Sequence, residues 1–157
     1  MTEESEQTKK MKTLVVYYSR KGYTEEIAMQ KVKEENADFL CLDTIENTCG
    51  WYGFLNCAKL FLEKKQMVLF PYETDIASYD KVIICSPVWF GKICSPIDEF
   101  IKKERHNIKC AEYVLLHSLP ENVKGIANYL DTILRIKSES TTSIQCIAGH
   151  IIKVEEL

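Results

Sequence analysis

Three short runs, TLVVYY at residues 13–18, KVIIC at 81–85 and EYVLLH at 112–117, carry almost none of the polar alternation of a half-exposed strand. Continuous β-branched and aromatic runs belong to strands buried on both faces, and such strands sit in parallel sheets covered by helices. The segments between them supply those helices. Residues 22 to about 36 place Ile27, Ala28 and Val32 at helical spacing among charges, Pro96 to Lys103 opens with a proline in its first turn, and Asn122 to Ile136 follows the same pattern. Asp38 to Leu42 and Ser143 to Lys153 add two strands, and GWYGFLNCAKLFLEKK reads as a helix from about Tyr52, followed by the loop-like PYETDIASYD.

Strands alternating with helices make β-α-β units, hence an α/β fold of three layers around a parallel sheet. For five such strands the economical order is 2-1-3-4-5. Ligands of such a sheet bind beyond the carboxyl ends of its strands, at the switch point between the first and third. Those two ends read YYSRKGYT and ICSPVWFGK. At 157 residues and 46% hydrophobic, the chain suits one core, so a single domain over residues 12–157 is expected behind a loose charged tail, 1–11.

A net charge of -3 with scattered Lys and Arg gives no footprint for nucleic acid or an anionic membrane. MTEESEQTKK has no apolar segment of a secretory signal, and no run reaches membrane-span length, which points to a soluble, cytoplasmic protein. The seven cysteines are odd in number and lack CxxC spacing and a His cluster, so they read as reduced structural thiols and no metal site is expected. A Walker A sequence, GxGxxG, the Cys and Arg spacing of low-molecular-weight phosphatases and a Ser-His-Asp elbow are all missing.

The first loop offers Ser19, Gly22 and Thr24 at a helix start, where orphan N–H groups and the helix dipole favour an anion such as a phosphate monoester. The plainer reading makes Thr24 a helix cap, with Glu25 and Glu26 in the first turn. The second loop, Pro87-Val88-Trp89-Phe90-Gly91, sets two aromatics and a glycine at a strand end. They either fill core or border a flat π-system. Together the loops fit a ligand with both a phosphate and a planar ring.

YYSRKGYTEEIA and YDKVIICSPVWFGKICSPIDEFI resemble the flavodoxin family, particularly its short members, over roughly residues 12–136, and GWYGFL is similar to a glycine-aromatic helix start in that subgroup. The resemblance implies a three-layer flavodoxin-like fold and FMN as cofactor. It implies that Ser19, Lys21, Gly22, Tyr23 and Thr24 surround the phosphate, and that Pro87, Val88, Trp89, Phe90 and Gly91 border the isoalloxazine, with a backbone group near Gly91 facing flavin N5. His117 and Ser118, in the loop after the fourth strand, would approach the ring; His117 is either a proton donor there or a strand-end residue satisfied by backbone. Lys21 and Tyr23 stand where the family usually has a hydroxyl and a small polar residue.

The implied function is electron transfer, as a carrier or small oxidoreductase with protein partners or acceptors such as quinones, and it requires no catalytic acid or base. The alternative is a fold that has lost FMN and acts as an interaction module. The family's closing C-terminal helix has no counterpart after IIKVEEL, so an apolar strip beside the first helix is expected, covered in a homodimer.

Overall fold

The computed structural model describes residues 10–44, 55, 59, 63 and 67–157. The elements in chain order are β1 (Thr13–Tyr17), α1 (Tyr23–Glu35), β2 (Asp38–Cys41), a 3-10 turn (Ile76–Ser78), β3 (Lys81–Trp89), β4 (Lys92–Ile93), α2 (Ser95–Glu104), β5 (Ala111–His117), α3 (Val123–Leu134), β6 (Thr141–Ile147) and β7 (His150–Glu156). Of the helix expected from about Tyr52, only residues 55, 59 and 63 are described, and Leu55 and Lys59 are helical; the rest lies outside the described residues.

The sheet runs β2-β1-β3-β5-β6-β7, with β4 attached to β3. Pairing is parallel from β2 through β6, which is the expected 2-1-3-4-5 order. Two departures change the strand count. The segment 143–153, read as one strand, is a hairpin: β6 and β7 pair antiparallel, with Ile147 opposite His150 around Ala148 and Gly149 at φ 50 and 84. Likewise, β3 does not stop at Cys85 but continues through Ser86 and Pro87 to Trp89.

Both faces of the central strands are buried, as their composition demands. Leu14, Val16, Val82, Ile84, Tyr113 and Leu115 alternate with Val15, Tyr17, Ile83, Cys85, Val114 and Leu116, and the two sets belong to separate cores. The first core packs under α2 and α3 through Ile97, Phe100, Ile101, Ile126 and Leu130; the second packs under α1 through Ala28. A fully buried phenylalanine such as Phe100 contributes on the order of 3–5 kcal/mol against truncation to alanine.

Helix ends follow local chemistry. Pro96 lies in the first turn of α2, where a missing N–H costs nothing. Asn122 caps α3 by accepting from the Gly125 N–H at 3.0 Å. α1 ends on Asn36 in the left-handed conformation at φ 49, whose N–H returns to the last turn. No described helix is long and apolar enough to cross a membrane.

Candidate functional site

The β1 end and α1 form the floor of a cleft. After Tyr17 the chain turns through Ser19, whose Oγ accepts from the Gly22 N–H at 2.9 Å. Gly22 stands at φ 92, a conformation closed to most side chains, and it is the N-cap of α1. A Cβ there would touch nothing within 4 Å, so the backbone angle alone demands glycine. No side chain caps α1. Its first N–H groups have no intrahelical acceptors, and the positive end of the helix dipole stays uncompensated by a cap. Thr24, read as a possible cap, is instead the second residue of the helix and is buried.

The second wall is the extended end of β3. Val88 pairs with Ile93 and Trp89 with Lys92, so Phe90 and Gly91 form the turn of a tight hairpin at φ 51 and 75. The stretch read as a loop is therefore a β-ribbon. Its base is fixed by Cys94 N–H donating to Pro87 O at 3.2 Å and by Ser86 Oγ donating to the same carbonyl at 2.9 Å. Trp89 packs edge to face on Tyr18, with ring centroids 5.6 Å apart.

The end of β5 makes the third wall. A carbonyl only accepts, so His117 Nδ1 carries the proton it shares with Leu119 O at 2.7 Å, and in the neutral ring Nε2 accepts from Ser143 Oγ at 2.8 Å. Both ring nitrogens are thus engaged, one by a backbone carbonyl and one by a side-chain hydroxyl. Gln145 Nε2 donates to Ser118 O at 3.1 Å and ties the same loop to β6.

Together these walls enclose an open cleft of about 260 Å³, near the lower end of small-molecule sites. Of the residues named from the sequence, Ser19, Lys21, Tyr23, Thr24, Pro87, Val88, Trp89, His117 and Ser118 line it. Gly22, Phe90 and Gly91 do not: Gly22 shapes the loop, Phe90 is exposed at the hairpin tip, and Gly91 faces Glu121 Oε2, 3.5 Å from where its Cβ would stand. Arg20, Leu116, Cys146 and Ala148 complete the lining. Cys146 and Ala148 come from the β6–β7 hairpin, whose one weak signal was the single Gly149 interrupting two apolar runs.

The lining carries two cations, Arg20 and Lys21, and no carboxylate. With the uncapped α1 terminus at the same spot, the floor favours an anion. Opposite it, Trp89, Pro87 and Val88 present an apolar, flat wall suited to a ring. Beneath the cleft, burial pushes the Cys85 thiol up to about 12, which keeps it protonated and inert. Among the described residues no cluster of His, Cys, Asp or Glu could hold a metal ion.

No family model and no curated protein sequence matches the chain. Solved structures do. A flavoprotein from Lactobacillus acidophilus NCFM in complex with FMN superposes with a TM-score of 0.72 at 19% identity, covering 85% of this chain and 93% of that one. A candidate flavoprotein from Bacteroides uniformis ATCC 8492 gives 0.72 at 18% identity, covering 90% and 94%. The flavodoxin, WrbA-like protein from Agrobacterium tumefaciens gives 0.52 at 14% identity, covering 81% and 75%. Strand order, helix placement and these superpositions agree: the chain has the flavodoxin-like fold.

Proposed function

We propose that the chain binds FMN in this cleft and serves in electron transfer, as a carrier or a small oxidoreductase. One observation carries the reading. The uncapped N-terminus of α1, behind the left-handed Gly22, opens into the same cleft as the Trp89 wall, so one site offers both an anion seat and a flat apolar surface. The chemistry of the residues fits the two ends of FMN, and the superposed Lactobacillus acidophilus flavoprotein is in complex with FMN.

The residues divide the work. Ser19, Thr24 and the N–H groups from Lys21 to Thr24 would hold the phosphate, with Arg20 and Lys21 supplying charge. Seating it requires the Gly22 N–H to turn from Ser19 Oγ toward the ligand. Pro87, Val88 and Trp89 would exclude water from one edge of the ring, while His117 and Ser118 bound the other side. FMN, when bound, supplies the redox chemistry; the protein supplies position and electrostatics. No residue is needed as a general acid or base, and redox proteins or small acceptors such as quinones are the partners this reading implies.

The Ser19–Gly22 bond favours the second reading, a cofactor-free interaction module, because it satisfies the Gly22 N–H without a ligand. A titration with FMN, followed by flavin fluorescence and visible absorbance, separates the two. One-to-one quenching supports the first; no binding at high micromolar FMN leaves the second.

A further inference from the structure

Every residue of β7 is exposed, including Ile151, Ile152 and Val154 at 53%, 60% and 56%. Pairing places Ile151 opposite Cys146 and Val154 opposite Ile144, and a register shift between Gln145 and Cys146 leaves Ile152 as the extra residue of a bulge. Paired residues share a sheet face, and a bulge directs its two residues to the same side. The three side chains therefore project together beside α1, on the face whose buried members include Ile144 and Leu116.

β7 is also the open edge of the sheet among the described residues. Leu157 N–H donates to Thr141 O, which makes Thr142 and Glu156 a non-hydrogen-bonded pair. Alternation along an antiparallel ladder then turns the backbone groups of Val154 and Glu156 away from β6. They are donors and acceptors poised for another strand.

We propose that a second copy of this chain pairs there, β7 against β7 and antiparallel, forming a homodimer with one continuous sheet. The charges choose the register. With Val154 opposite the second copy's Val154, outward backbone groups meet outward groups, and Lys153 stands opposite the second copy's Glu155 in both directions. Sliding to the next equivalent register one way sets Lys153 against Lys153, and the other way Glu155 against Glu155. Charged side chains and bulges are among the devices that blunt a sheet edge; here the charges of Lys153 and Glu155 are complementary to a second copy in that one register, and the bulge lies to one side of them at Ile152. Within one chain Lys153 Nζ already reaches Glu155 Oε1 at 2.5 Å, so both charges lie on the same face of the strand. Pairing would bring the exposed Ile151, Ile152 and Val154 of the two copies into one apolar seam.

The decisive experiment is light scattering or sedimentation of the full chain over a micromolar dilution series, without added flavin. Wild type should weigh twice the 18.2 kDa chain mass at the higher concentrations. Lys153→Glu and Glu155→Lys alone should each weaken self-association by about tenfold or more, because both symmetric pairs become repulsive. Mixing the two single variants should restore a dimer, as should the double swap in one chain. Circular dichroism controls for folding, since both side chains are surface groups. A monomeric wild type, or single variants that dimerise like wild type, would overturn the proposal. Because no flavin is present, either result is independent of the cofactor reading.

Discussion

Trp89 meets Tyr18 edge to face at a centroid separation of 5.6 Å, and that contact joins the end of β3 to the residue just past β1. The two sides of the switch point are thereby packed together before any ligand arrives. Trp89→Ala should lower stability by about 1–3 kcal/mol, less than for a fully buried tryptophan, because Trp89 is only partly buried. FMN affinity should fall at least several-fold in the same variant, while Trp89→Phe keeps most of both. Urea denaturation and FMN titration of the three proteins check this; unchanged affinity in Trp89→Ala would reduce the residue to core filler.

A Cβ at Gly149 would stand 2.9 Å from Tyr23 Cε1, so the β6–β7 turn rests directly on the first residue of α1. Tyr23 is thus a buttress for the hairpin wall. Gly149→Ala combines left-handed strain with this clash and should cost about 1–3 kcal/mol. Gly22→Ala meets only the strain, on the order of 1 kcal/mol. The order of the two urea midpoints is the test. Tyr23→Ala should recover part of the Gly149→Ala loss in a double-mutant cycle.

Phe90 holds φ 51 in a two-residue turn and is exposed at 55%. A bulky residue in that conformation is strained, and Asn-Gly is the favoured pair for such a turn. Phe90→Asn should therefore stabilise the protein by about 0.5–1 kcal/mol. If the aromatic is retained at the rim for the flavin, FMN affinity falls as the melting temperature rises. A variant that gains stability without losing affinity would show that Phe90 has no part in the site.

At the opposite end of the sheet, Glu112 is buried and meets Lys81 at 2.8 Å and Lys31 at 3.3 Å. Burial by itself raises its pKa, but the hydrogen bonds and charges of the two lysines outweigh that and hold the carboxyl below its ordinary value of 4.5. A depressed folded value contributes stability that is present above the unfolded value and lost as pH falls through the folded one. Glu112→Gln should cost about 1–3 kcal/mol at neutral pH. The gap from wild type should narrow as pH drops below 4.5. A gap that stays constant to low pH would contradict the assignment.

The parallel core was legible because TLVVYY, KVIIC and EYVLLH lack polar alternation, and only burial on both faces explains that. Pro87 misled the reading of β3, since proline ordinarily ends a central strand. It is tolerated because β1 has already stopped: the last β1–β3 pair is Tyr17 with Cys85, and the Pro87 carbonyl turns to the Cys94 N–H instead of a strand. The missing N–H thus falls on the side of the short β3–β4 hairpin, beyond the last β1–β3 pair, and costs the parallel ladder nothing. The β6–β7 turn was hidden by apolar residues on both flanks, and with it went Cys146 and Ala148 as lining residues. Ser19, Thr24 and Trp89 were legible together because strand order alone brings the ends of β1 and β3 side by side.

In the proposed FMN site the α1 terminus would seat the phosphate and the β3 end would border the ring. Parallel titrations with FMN and riboflavin separate the two halves of that site, since the two ligands share the ring and differ in the phosphate. FMN should bind one-to-one, riboflavin at least tenfold more weakly, and the difference between them should shrink in Ser19→Ala. Equal affinity for both ligands, or none for either, would contradict it.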